Sequence, residues 1–441
     1  MAVTTYFIAS DGATAGAGTL ASPMILGGAT LASLLASITA RTITANTLAN
    51  PTVVTTSVAH GFATGDVVPI SGTNSTPNIN GLQQVTVLSA TTFSVPIDVS
   101  VAGTAGTIAA RADFATDAVT LAFLPGDHTQ SGAITPAGTP VLSRPVNAIA
   151  VDSSGIELPS PVRLYDGLGD WASQELDSAY RAKIALNAQW LGGYKANVRL
   201  HGLNLQCANT GTETFSLGVN SVFSSCRANV TAIGGTRYLI DVTLDASVVD
   251  SIFNFNASAL SCHGAIFLGN QGASVRRCLI IGPATTGGTG NRCGIVSNNA
   301  RGAISECVIT RWQGDGILMT NASATCEVSD SVIANVGGHG INFSGAIDLP
   351  CLVTGNHITG CGAFGVTAGA AGVDVIGPNR MRNNVSGNVN AAAIGDRTSR
   401  GSLITAAGAD ASDFVASASN DWRLARSNPA AGLGVGAGDA G

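Results

Sequence analysis

The chain has 441 residues, of which 45% are hydrophobic and only 11% charged, with a net charge of −6 and two lysines, Lys183 and Lys195. The charged share is roughly half the usual one, and without a basic patch nucleic-acid binding is excluded. No apolar run reaches the length of a membrane span, and the start, MAVTT, lacks the cationic and apolar regions of a secretory signal.

Residues 1–42 read as an edge strand followed by a cap. The segment Tyr6–Gly12 (YFIASDG) continues through Gly18 to Pro23, and Thr30–Ile38 has apolar residues at 31, 34, 35 and 38. That spacing predicts a short amphipathic helix, placed to cover the unpaired edge that a stacked array leaves at its end. Residues 43–110 read as a separate β-module. Its marks are His60–Asp66 (HGFATGD), Ile70–Gly72, Asn80–Gly81, Val85–Val87 and Thr91–Phe93. His60 with Gly61 and Gly65 is read as a structural turn in which glycine supplies backbone freedom.

Residues 111–381 carry a repeat. A β-branched or apolar residue is followed three or four places on by a small or amide residue, at Gly202, Cys226, Ser251, Cys278, Cys307, Ser331, Asn356 and Asn379. The gaps are 24, 25, 27, 29, 24, 25 and 23 residues. A second ladder, Gly294-Ile295, Gly316-Ile317, Gly340-Ile341 and Gly365-Val366, runs between those rungs. A period in this range marks a solenoid, and runs such as Val275–Ile281 are too short for helices and rich in β-branched residues. The expected fold is therefore all-β: a single-stranded parallel β-helix, preceded by the cap helix and interrupted by the small β-domain. The nine cysteines fall about one per coil without a CxxC pair or a histidine cluster, which reads as buried, reduced packing thiols rather than disulfides or a metal site.

Residues 157–195 interrupt the repeat. They hold Tyr165, Trp171, Tyr180, Trp190 and Tyr194, both lysines and several carboxylates, and Ser173 to Trp190 is compatible with a helix. Aromatics on an excursion from a scaffold suit an interface; packing onto the first coils and a sugar platform are the other readings. Residues 382–441 close the chain through Asn383–Asn388 and a last segment from Asn420 to Gly432.

Stacked coils bring residues one period apart to roughly 4.8 Å, so carboxylates with that separation are the candidates for glycoside chemistry. Asp315 and His339 each precede a ladder glycine, and Glu306 and Asp330 each precede a ladder residue, 24 apart. Those four are the candidate catalytic residues. The column Asp250, Arg277, Glu306 and Asp330 also reads as surface electrostatics. No Asp-rich coil offers a cation site, and no cofactor is implied.

Three resemblances add to this. The rungs, with Val353–Ile358 (VTGNHI) and Gly340-Ile341, resemble the repeats of pectate-lyase-like proteins, which implies a right-handed parallel β-helix. Tyr6–Pro23, Asp117–Gly126 and Asn420–Gly432 resemble the opening, first coil and closing segment of bacteriophage β-helix proteins. Residues 43–108 resemble the FCCH domain of ubiquitin-activating enzymes, which recurs in phage structural proteins; the module has no thioester cysteine and implies no ubiquitin chemistry. Together they imply a virion location and a structural or adhesive component of a phage or phage-like particle (tail, fibre or spike, or head decoration). The partners implied are other virion proteins and further copies of the chain, a trimer being favoured. The competing implication is a tailspike-type depolymerase, a hydrolase or lyase acting on a host surface glycan.

Overall fold

The computed structural model describes residues 3–390 apart from breaks, the longer ones at 27–36, 113–117, 131–144, 158–181, 191–195, 209–213, 232–237, 256–261, 284–291, 299–301, 321–325, 345–350 and 369–374. Shorter breaks span up to three residues, and beyond 390 the strands Leu403–Ile404, Phe414–Ala416 and Asp421–Leu424 are described.

The chain is a right-handed parallel β-helix. Three sheets run its length. The first has twelve strands, from Met24–Ile25 and Val3–Ala9 through Ala118–Phe123 and Val198–His201 to Val375–Ile376. The second has eleven, from Gly126–Gln130 to Leu403–Ile404, and the third eight, from Phe215–Leu217 to Gly387–Val389. From Phe215 to Val366 each coil contributes one short strand to each sheet, and neighbouring coils pair in parallel, as in Leu200↔Phe223↔Val248↔Val275↔Ile304. The alternation of a strand then puts like residues in columns. Ile280, Ile309, Ile333 and Ile358 stack in the interior from the second sheet, and Ile266, Ile295, Ile317 and Ile341 from the third. Phe223 stacks on Phe253 with ring centroids 5.6 Å apart. Asp11 closes the exposed edge of Gly126–Gln130: its N–H donates to Asp127 O (2.7 Å) and its carboxylate accepts from Thr129 N (3.0 Å).

Two expectations are corrected. Among the described residues there is no helix. Of the expected cap helix, Ser37–Ile38 is a strand paired antiparallel with Arg111–Ala112, and the residues before it lie outside the described ones. The helical reading of 173–190 fails at Ala182–Leu186, a rung of the second sheet between Gly126–Gln130 and Asn204–Cys207. Its burial alternates with period two, Ala182, Ile184 and Leu186 inward, and the pairing of both neighbours overrides the helical propensity of Ala, Lys and Leu.

Residues 41–108 form their own antiparallel sheet, ordered Gly81–Gln84, Val67–Ser71, Thr107–Ile108, Arg41–Asn46, Thr52–Thr56, Thr92–Val95 and Thr86–Val87. Its two end strands are one continuous stretch interrupted only at Val85, so the sheet closes into a small barrel. Arg41–Asn46 turns the opposite corner with a register shift between Ile43 and Ala45, the local bend that a bulge supplies. The barrel has its own core around Ile43, Val54, Phe62, Ile70, Phe93 and Ile108. His60 is 1% exposed, accepts from Phe62 N (3.0 Å) and bonds Ser89 O (2.9 Å). It holds a turn that Gly61 enters at φ 72°.

On the second sheet the outward side chains of the later rungs are buried too, including Leu279, Val308, Val332 and His357. Burial, and then the charges of Arg380 and Arg382, lower the His357 pKa to about 3. Its folded value lies below the unfolded one of about 6.5, so the neutral ring contributes stability that is complete above pH 6.5 and lost as pH falls toward 3. Urea titrations between pH 7.5 and 4.5 are expected to show stability falling with acid, and His357→Gln should flatten that slope; equal slopes would contradict it.

Candidate functional site

From Val198–His201 to His357–Thr359 only two residues lie between each strand of the first sheet and the following strand of the second. The first sits at positive φ in seven successive coils: Gly202, Ser225, Asp250, Arg277, Glu306, Asp330 and Gly355, with φ from 50° to 71°. The second points inward: Leu203, Cys226, Ser251, Cys278, Cys307, Ser331 and Asn356, all 0% exposed. Gly202 therefore belongs to the turn column, and Leu203 is the ladder residue of its coil.

The inward ladder is a chain of hydrogen bonds. Four side chains cap the backbone N–H of the ladder residue one coil earlier: Cys226 N donates to Ser251 Oγ (3.2 Å), Cys307 N to Ser331 Oγ (3.1 Å), Ser331 N to Asn356 Oδ1 (3.0 Å) and Asn356 N to Asn379 Oδ1 (2.9 Å). From Cys226 to Asn356 the ladder side chains also donate to the carbonyl two residues before them, as Ser251 does to Val249 O (2.7 Å) and the Cys307 thiol does to Ser305 O (3.1 Å). A sharp turn leaves that N–H without a strand partner, and a buried orphan is costly. Ser, Cys and Asn share the position because each is small and can both accept and donate. All nine cysteines are free and buried. Burial pushes the Cys262 thiol to about 11 and Cys293 to about 12.

The outward column carries the charge. A left-handed conformation costs a residue with a Cβ about 1–2 kcal/mol, less for Asp. Arg277 reaches back to Asp250 with two bonds, Nε–Oδ1 2.6 Å and Nη2–Oδ2 2.8 Å, and Arg276 binds Glu306 (Nε–Oε1 2.7 Å). Glu306 is thus half of an ion pair. Asp330, one coil on, is exposed and lays its carboxylate where a Cβ on Gly355 would stand. Burial first, then the charges of Glu306 and Glu327, raise its pKa.

Asp315 and His339 lie at a different corner, where the chain enters the third sheet, so the four candidate catalytic residues form two separate pairs. Asp315, 8% exposed, accepts from the backbone N of His339 (2.7 Å) and from Asn342 Nδ2 (2.8 Å). The His339 ring does not bind that carboxylate. Its Nδ1 accepts from Phe364 N (3.2 Å), which leaves the proton on Nε2, and the ring lies parallel to Phe364 at 6.0 Å.

Of the aromatic interface candidates, Trp190 is 1% exposed, its ring packed against Phe123 and Phe215 at 5.8 and 6.2 Å. Its indole is part of the interior and is not available to a partner. Tyr165, Trp171, Tyr180 and Tyr194 lie outside the described residues. Trp312 is also interior, against Phe255. Tyr238 and Phe267, half-buried on the outer face of the third sheet, stack at 4.8 Å.

A further polar group escaped the sequence reading. His201 Nδ1 and Ser224 Oγ are 2.9 Å apart, one coil removed on the outer face of the first sheet. Glu157 Oε1 lies 3.6 Å from His201 Nε2 and 2.6 Å from Arg199 Nη2. The 23-residue interval between His201 and Ser224 is one coil and could have paired them. Nothing in the spacing announces Glu157, which an isolated bridge between Val151 and Glu157 brings in. Among the described residues no cluster of His, Cys, Asp and Glu could hold a metal ion.

Residues 293–421 match the family model described as "Right handed beta helix region". No curated protein matches the chain. Among solved structures it is similar to a rhamnogalacturonan lyase (9% identity, 73% of this chain and 92% of that one, TM-score 0.36). It is similar also to the catalytic domain of a GH87 α-1,3-glucanase (10%, 86% and 89%, 0.25) and to the tailspike protein gp49 of Pseudomonas phage LKA1 (12%, 92% and 71%, 0.23). At such identities and scores these likenesses concern the solenoid alone.

Proposed function

We propose that this right-handed parallel β-helix protein is a structural or adhesive component of a bacteriophage or phage-like particle, working through protein contacts as a homo-oligomer, a trimer being favoured. The observation that carries the reading is how the candidate groups are used. Asp315 is bound by a backbone N–H and an amide, His339 by a backbone N–H, and Glu306 by Arg276. Each of these contacts crosses from one coil to another, so each serves to hold the stack. The charge-poor surface and the resemblance of the barrel and terminal segments to phage β-helix proteins support the same reading. The decisive experiment is cryo-electron microscopy of intact particles carrying the protein. Density for the solenoid at a defined site, with further copies or other virion proteins against the barrel or residues 157–195, is expected; its absence from purified particles would overturn the reading.

One observation favours a second reading, a polysaccharide depolymerase. Asp330 stands one coil from Glu306, and partial burial, then the charges of Glu306 and Glu327, raise its pKa, the direction that a general acid needs. Incubation with capsular or lipopolysaccharide, followed by assay for new reducing ends or unsaturated products, tests it. Cleavage that Asp330→Asn abolishes would establish it in place of a purely structural role, and cleavage that survives the substitution would reject Asp330 as the acid.

A further inference from the structure

We propose that Ser224, His201 and Glu157 form an acyl-transfer site on the outer face of the first sheet, hydrolysing small carboxylic esters. The groups stand in the order that such chemistry needs: a hydroxyl against an imidazole nitrogen, and a carboxylate against the other nitrogen. Glu157 Oε1 stands 3.6 Å from Nε2, beyond hydrogen-bond length but close enough for its charge to favour a proton on that nitrogen, and Nδ1 lies 2.9 Å from Ser224 Oγ. Arg199 in turn fixes Glu157 through a 2.6 Å contact. Leu200 O, at 3.3 Å, is the longer and weaker acceptor for the Ser224 hydroxyl. Burial, then the charge of Arg199, lower the His201 pKa against the opposing pull of Glu157 and Asp250, so the ring is the neutral base at pH 7.

Ser224 ends its strand just before the left-handed turn at Ser225, φ 52°. With Ser224 8% and His201 9% exposed, only a small acyl group reaches the hydroxyl. In the first step Ser224 Oγ attacks the ester carbonyl carbon while its proton passes to His201 Nδ1. The carbon–alkoxy bond breaks, and the alcohol leaves with that proton. Water then attacks the acyl-serine, giving its proton to Nδ1, and the carboxylic acid departs as Ser224 recovers the hydrogen. The Ser225 N–H already donates to Val249 O (3.1 Å), so it is not free for the oxyanion, and the positive charge closest along the strand is Arg199, two residues from His201 on the same face and paired with Glu157.

The test uses the full chain with 4-nitrophenyl acetate and a fluorophosphonate probe. The probe is expected on Ser224 by peptide mass spectrometry. Ser224→Ala should lower ester hydrolysis roughly a hundredfold or more, and Glu157→Gln roughly tenfold. The rate should hold to pH values below the ordinary histidine range before falling with acid. A circular dichroism spectrum like that of the parent keeps a loss of rate distinct from a loss of fold, and probe labelling of the parent protein needs no variant at all. An unlabelled Ser224, or hydrolysis by Ser224→Ala equal to the parent's, would overturn the proposal. This activity stands or falls independently of the particle reading.

Discussion

Asn356→Leu is expected to lower stability by about 2–5 kcal/mol, the cost of leaving two or more buried polar groups unpaired. Asn356 Oδ1 accepts from Ser331 N, while Nδ2 donates to Val328 O (2.8 Å), Thr354 O (3.0 Å) and Asn379 Oδ1 (3.0 Å). Leucine fits the volume and supplies none of these. The orphaned N–H of Ser331 would sit inside the solenoid, where no water replaces the bond. Asn356→Ser should cost much less, because serine fills the same place in neighbouring coils and makes both kinds of bond. Urea denaturation of the two variants checks this. Similar losses for Leu and Ser would mean that volume, not capping, governs the ladder.

Gly340→Val is expected to cost about 3 kcal/mol, at the upper end of overpacking penalties. A Cβ on Gly340 would lie 2.5 Å from Gly365 O and 3.2 Å from Cys361 Sγ, and inside contact distance of Ile358. Gly316 and Gly294 meet the same surroundings one and two coils earlier: an isoleucine methyl at 2.5 Å and the next coil's glycine carbonyl at 2.8 Å. Neither conformation nor sequence periodicity demands glycine there; the approach of the neighbouring coil's backbone does. Because coils contact mainly their neighbours, the loss should be local. Hydrogen exchange of Ile341–Phe343 and Phe364–Ala368 should accelerate, while the strands near Val198 stay protected. Uniform acceleration along the solenoid, or a change below about 0.5 kcal/mol, would refute the explanation.

Both ladders were legible in the sequence as intervals, yet their meaning was not. The positions Cys226 to Asn379 recur at near-constant spacing because each coil needs one small polar residue at the same turn, so the columns could be drawn before any coordinates. The first rung was set one residue early, at Gly202, since a glycine at a turn and a leucine inside it look alike without the φ angle. The expected helices at 30–38 and 173–190 rested on local propensity, which strand pairing outweighs at Ser37–Ile38 and, on both edges, at Ala182–Leu186. Trp190 was offered for an interface, with packing onto the first coils left open beside it, and the structure packs its ring against Phe123 and Phe215.

The candidate site divides along the same line. Sequence alone determined that this chain is a parallel β-helix with an inserted β-module, because hydrophobic period and repeat length are properties of the chain itself. It also determined which residues share a column, since a coil has a nearly fixed length. Only the tertiary structure decided that the Glu306–Asp330 and Asp315–His339 pairs occupy different corners, and that most of their polar atoms hold coils together. It alone brought Glu157 to His201 and Ser224. Those outcomes depend on where loops of unequal length return the chain, and no interval in the sequence encodes the direction of a return.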